Sequence, residues 1–131
     1  MASDEGPIES ISAVTLVTGR MDEAVAFYEA LGFVRLYGGP NADFTSFRAG
    51  VQYLNLQQVD GRGATGSIWG RVIFYVADVD AMHERVVAAG FAPETLPADA
   101  PWRERYFHVR DPDGHQLSFA RPLPPQAPTP F

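Results

Sequence analysis

The side chains with chemical potential stand at every second position of strand-like runs. Tyr53, Asn55 and Gln57 alternate with leucines. Arg71, Ile73 and Tyr75 alternate with Val72 and Phe74, and Gln116, Ser118 and Ala120 with Leu117 and Phe119. If Phe107 and Val109 turn toward a core, Tyr106, His108 and Arg110 share the opposite face. If Val14 and Leu16 pack under a helix, Ala13, Thr15 and Val17 look the other way. Rings, amides, hydroxyls and a guanidinium on one wall suit shape-and-hydrogen-bond recognition of a planar polar molecule. The same residue types could move protons. Tyr53, Tyr75, His108 and Arg71 are the candidates for metal-free acid–base or oxyanion chemistry, with Arg71 able to lower a nearby tyrosine. Trp69 and Trp102 flank strands, where an indole serves either as a stacking lid or as packing at a strand end.

These rows must be positioned by a small fold. The chain has 131 residues, 46% of them hydrophobic and 20% charged, ordinary values for a globular domain. It contains no cysteine, hence neither a disulfide nor a thiolate. The N-terminal stretch is acidic and unlike a secretory signal, and no apolar run is long enough to span a bilayer, so a cytoplasmic location is the default. With 16 acidic against 10 basic residues the net charge is −6, which argues against nucleic acid or an anionic membrane surface as partner. It mildly favours a cationic small molecule, although solubility explains it more simply.

The chain repeats itself. Ala30-Leu31-Gly32-Phe33 and Ala88-Ala89-Gly90-Phe91 close two helical stretches 58 residues apart. In the first copy, 11–17 predicts a strand, 21–31 a helix with Gly32 beyond its end, and 33–37 a strand. A turn over 38–41 and a hairpin of 44–47 with 51–57 complete it. The glycine-rich stretch 60–67 is a linker. The second copy predicts a strand over 71–76 and a helix over 78–89 capped by Asp78. A strand over 105–110, a turn at Asp111-Pro112-Asp113-Gly114 and a last strand over 116–120 follow. The first helix has Arg20 where that cap would fall, so its start is weaker or falls earlier. Each half thus reads βαβββ.

Phe27-Tyr28-x-x-Leu31-Gly32-Phe33, followed near the C-terminus by Asp111-Pro112-Asp113-Gly114-His115, resembles the vicinal oxygen chelate superfamily. That group holds glyoxalase I, extradiol dioxygenases, fosfomycin-resistance enzymes and bleomycin-binding proteins. The resemblance implies an α+β fold in which two tandem βαβββ modules form a curved mixed sheet around a cavity. It implies a single domain over 1–121, with repeats at about 8–60 and 68–121 and a proline-rich tail over 122–131. Its metal-dependent members take ligands at four positions, which here carry Ala13, Asn55, Arg71 and Ser118. Ala13 has no donor, Asn55 and Ser118 are neutral, and Arg71 would repel a divalent ion. No metal and no cofactor is therefore expected, and the three histidines do not supply a site. His83 reads as a solvated helix residue, His115 as a local hydrogen-bonding group beside the turn, and His108 as the one that could face the cavity.

The implied cavity wall comprises Thr15, Tyr53, Asn55, Gln57, Arg71, Tyr75, Trp102, Tyr106, His108, Gln116 and Ser118. Arg71 on that wall calls for a partner: Asp43, Glu104 or a ligand's anionic group. The stretch Trp102-Arg103-x-Arg105-Tyr106-Phe107-x-Val109-Arg110-Asp111-Pro112 resembles bleomycin-resistance proteins, which implies a metal-independent protein that binds a drug or natural product, aromatic or cationic, as a homodimer. The alternative is a metal-free isomerase, cyclase or lyase, marked by convergence of His108 and a tyrosine within hydrogen-bond reach. The acidic arm at 2–8 and the proline tail could reach across to a second subunit.

Overall fold

Short-range patterning sets the elements, and the helices show it most plainly. The computed structural model describes residues 6–64 and 66–125, and the chain divides into two compact units, Met1–Gly63 and Ala64–Phe131. In the first, β1 (Ala13–Thr18) leads into α1 (Met21–Ala30), then β2 (Val34–Tyr37), β3 (Phe44–Ala49) and β4 (Gln52–Gln58). The sheet order is β1-β4-β3-β2, with β1 parallel to β4 and the other pairs antiparallel. Met21, Ala24, Val25, Phe27 and Tyr28 recur at helical spacing and are buried. They cover Leu16, Phe47, Leu54 and Leu56, which the register places on one face of the sheet. Each large apolar side chain buried this way contributes about 1.5–3 kcal/mol.

The second unit repeats the plan. It contains β5 (Arg71–Tyr75), α2 (Val79–Ala88), β6 (Ala98–Asp99), β7 (Glu104–Arg110) and β8 (Gln116–Pro122), ordered β5-β8-β7-β6. Again the outer pair, β5 and β8, is parallel. Under α2, Phe119 stacks on Phe74 at 5.7 Å and on Phe107 at 5.6 Å between ring centroids. The architecture is α+β, two four-stranded mixed sheets each with one helix, as expected for the vicinal oxygen chelate fold.

Both helices stop in the same way. Phe33 N donates to Tyr28 O at 3.0 Å and Gly32 N to Glu29 O at 3.1 Å. In the second unit Phe91 N donates to Val86 O at 3.2 Å and Gly90 N to Val87 O at 3.0 Å. This double bond requires a left-handed residue, and Gly32 (φ 103°) and Gly90 (φ 93°) supply it without a Cβ penalty. The repeated Ala-x-Gly-Phe signature is therefore the repeated helix stop. The starts differ. Asp78 accepts a hydrogen bond from Ala81 N at 3.0 Å, whereas Arg20 makes no side-chain cap, and Met21 N instead donates to Gln58 Oε1 at 3.1 Å.

Several boundaries move. β1 begins at Ala13 rather than residue 11: Ala13 is the first residue in register with β4, and Ser12 only lends its carbonyl to Tyr53 N at 3.0 Å. The hairpin turn falls at Gly50-Val51. The second unit's counterpart of β2 shrinks to two residues. β8 continues through Pro122, and beyond it Leu123 N donates to Arg103 O at 2.9 Å and Arg103 Nη2 to Pro124 O at 2.7 Å. Residues 2–5 of the acidic arm and 126–131 of the tail lie outside the described residues.

Candidate functional site

In the first unit the face opposite α1 carries Thr15, Tyr53, Asn55 and Gln57. β1 and β4 run parallel with Thr15 beside Asn55 and Val17 beside Gln57. Asn55 Nδ2 donates to Thr15 Oγ1 at 3.3 Å, and Gln57 Nε2 donates to the Asp43 carbonyl at 3.1 Å. Tyr53 is exposed. An open depression of about 690 Å³ on this unit is lined by Arg35 and residues 37–44; Asp43 borders it, but Thr15, Tyr53, Asn55 and Gln57 do not.

In the second unit the register of β5, β8 and β7 stacks three rows on the face away from α2. Arg71, Gln116 and Arg110 form the first, Ile73, Ser118 and His108 the second, and Tyr75, Ala120 and Tyr106 the third. The first row is wired together. Arg71 Nε donates to Gln116 Oε1 at 2.7 Å, Gln116 Nε2 donates to Glu94 Oε1 at 2.9 Å, and Arg110 Nε donates to Glu94 Oε2 at 2.8 Å. At the other end Glu104 accepts from the Tyr75 hydroxyl, and from Trp102 Nε1 at 3.1 Å. Trp102 stacks on Tyr106 with centroids 5.9 Å apart, and Tyr106 lies 5.0 Å from the His108 ring at a tilt of 45°. Ile73, Tyr75 and Trp102 are 57%, 62% and 65% exposed.

The electrostatics follow from these bonds. Burial and the neighbouring Arg71 charge, partly opposed by Glu94, hold His108 below the ordinary imidazole value and so favour the neutral ring. His108 Nδ1 is buried and has no hydrogen-bond partner. Burial pushes the Glu94 carboxyl up, but hydrogen bonds from Gln116 and Arg110 outweigh it and hold the group below its usual range. The hydrogen bond to Glu104 pushes the Tyr75 phenol up.

These placements bear on four expectations. Arg71 is exposed and bonds the neutral Gln116 rather than Glu104, because β5 lies beside β8 and Glu104 is three rows away. His83 is half-buried, its ring edge-on to Phe107 at 5.1 Å, because α2 lies directly over β7. Trp69 is no swinging lid: its Nε1 donates to His115 Nδ1 at 2.8 Å, pinning the indole to the Asp111–Gly114 turn. No hydrogen bond joins His108 to a tyrosine among the described residues. Glu94 was not singled out by sequence. It sits in irregular chain after α2, where periodicity says nothing, and is aligned because Glu94 N donates to His108 O at 2.8 Å.

The divalent ion that metal-dependent members of this fold use does not fit the residues present. Ala13 offers no donor, the Asn55 amide nitrogen is turned to Thr15, and Arg71 brings a fixed positive charge. Among the described residues no group of three or more His, Asp or Glu could hold a metal ion.

A βαβββ unit repeated in tandem, with polar and aromatic rows opposite each helix, defines the glyoxalase-like class of folds. The chain belongs to the Glyoxalase/Bleomycin resistance protein/Dioxygenase superfamily, whose model matches residues 10–119. Among solved structures it is similar to TioX from Micromonospora sp. ML1, with 30% identity over 88% of this chain and 100% of that one and a TM-score of 0.70. A bleomycin resistance determinant encoded on the transposon Tn5 shares 21% identity over 87% of this chain and 98% of its own, with a TM-score of 0.71. A lactoylglutathione lyase from Agrobacterium tumefaciens shares 22% identity over 87% and 94%, with a TM-score of 0.69. The last two show the fold alone. No curated protein matches the chain. Among the described residues no helix is long and apolar enough to cross a membrane.

Proposed function

We propose that this protein is a metal-independent small-molecule-binding protein of the bleomycin-resistance kind, holding a drug or natural product against the polar–aromatic sheet face. The observation that carries this reading is the second unit's face, where Ile73, Tyr75 and Trp102 stay more than half exposed beside the bonded chain Arg71–Gln116–Glu94–Arg110. Exposed rings next to preorganised polar groups are what a planar ligand needs for stacking and orientation. The superfamily's binding members support it, as does the presence of a bleomycin resistance determinant among the similar folds. On the same analogy the protein acts as a cytoplasmic homodimer, which size-exclusion with light scattering tests directly.

The enzymatic alternative needs a tyrosine poised as a base. Tyr75 is tied to Glu104 and pushed up, which works against a phenolate, and among the described residues no tyrosine hydrogen-bonds His108, whose neighbour Tyr106 meets it only ring to ring. The test is titration of planar aromatic natural products into a Trp69→Phe variant, which leaves Trp102 as the sole tryptophan reporter. Mass spectrometry of the recovered compound completes it. Quenching with unchanged compound is expected. An altered compound would transfer the assignment to isomerase, cyclase or lyase chemistry, and no response to any compound would sink the binding reading.

A further inference from the structure

We infer that the ligand presents an anionic group, a carboxylate or its equivalent, to Arg71, with its aromatic body running along the sheet face toward Trp102. The inference rests on the binding reading above. The chain carries a net charge of −6, so a cationic ligand would be the first guess from composition. Local charge points the other way. Along the Arg71–Gln116–Glu94–Arg110 chain one carboxylate serves two guanidiniums, and it is spent on Arg110, which approaches within 2.8 Å. Arg71 receives only the neutral oxygen of Gln116, and among the described residues its two terminal nitrogens have no partner.

That arrangement fixes the guanidinium through Nε and leaves the outer edge of its fork free. A planar carboxylate pairs with such an edge through two parallel N–H donors, and the orientation is already set before binding. The next row along the sheet offers Ile73 and His108, and the row after it the Trp102–Tyr106 stack. At about 3.3 Å per strand residue, the guanidinium row stands roughly 7 Å from the first and 13 Å from the second. A fused-ring carboxylate fits that spacing, with its charge on Arg71 and its rings over the neutral middle row. Arg71 also depresses the His108 imidazole, so its positive field reaches across that row.

The test is calorimetric titration of the full-length protein with 2-naphthoate, 2-naphthamide and 2-naphthylmethylamine, which share one ring system and differ in charge. Carboxylate binding at least tenfold tighter than amide binding is expected. Arg71→Gln should abolish that preference by weakening carboxylate binding at least tenfold more than amide binding, and Arg71→Lys should retain part of it because charge survives without the fork. Circular dichroism checks that each variant is folded, and Arg71→Lys serves if Arg71→Gln is not. Equal affinity for carboxylate and amide, tighter binding of the amine, or equal losses of acid and amide in Arg71→Gln would overturn the anionic assignment and leave the binding reading standing. Failure of all three compounds to bind would overturn both.

Discussion

Replacing Glu94 by glutamine removes one charge from the middle of the first row and keeps the shape. The carboxylate accepts from Gln116 Nε2 at 2.9 Å and from Arg110 Nε at 2.8 Å, one bond on each oxygen. A glutamine has a single acceptor oxygen, so an amide NH₂ must face one of these two donors. A hydrogen bond to a charged group contributes about 1.5–3 kcal/mol. The Arg110 and Glu94 side chains keep 27% and 31% of their exposure, so screening reduces that contribution, and a loss of about 1–2 kcal/mol is expected. For a chain of this length that lowers Tm by roughly 4–8 °C at pH 7.

The effect is tied to pH. Glu94 is held below its ordinary value, so its stabilisation is full above the unfolded carboxyl pKa, about 4.3. It is lost as pH falls through the folded value. The gap between wild type and Glu94→Gln, followed by thermal unfolding from pH 7 to pH 3, should therefore narrow below about pH 4. Equal melting at pH 7, or a gap that stays constant into acid, would refute the reasoning. Gln116 can relieve the clash by flipping its amide, which turns its NH₂ toward Arg71, so the Arg71 Nε–H resonance should broaden in the same variant.

Four further outcomes follow from the geometry. Arg71→Gln should raise the His108 pKa, because a cation that disfavours the imidazolium is gone while burial still holds the value down; proton NMR of the ring measures it, and a fall would contradict the assignment. Asp78→Ala should cost about 1 kcal/mol in denaturant unfolding, and Arg20→Ala less, because Gln58 rather than Arg20 serves the first turn of α1. Phe107→Ala should cost about 3–5 kcal/mol, since Phe107 is wholly buried against Phe119 and His83. Native mass spectrometry after a Zn, Mn, Ni and Fe challenge should show no stoichiometric metal; a tightly held ion would mean that the donor set lies elsewhere.

How far the site could be read before folding depends on the range of the signal. The face rows were legible because strand alternation is a property of one strand. Once Leu117 and Phe119 turn to the helix, Gln116 and Ser118 have no other side to take. The Gly32 and Gly90 helix stops were legible for the same reason, being local demands on φ. Partners were not. Arg71 could have met any acid, and its actual contact with Gln116 follows from the parallel pairing of β5 with β8, which joins residues 45 apart in sequence. Glu94 was invisible because its segment has no period.

Local chemistry alone determined where most strands and helices lie and which side of each strand is apolar, while the resemblance to the superfamily supplied the metal positions whose residues are poor ligands. Only the tertiary structure decided who neutralises whom: that Glu94 is taken by Arg110, that Glu104 is taken by Tyr75 and Trp102, and that no described residue takes the outer edge of Arg71. The physical reason is that φ/ψ preference and apolar periodicity act within a few residues of chain. Charge pairing acts through space, and strand order in the sheet sets which charges come within reach.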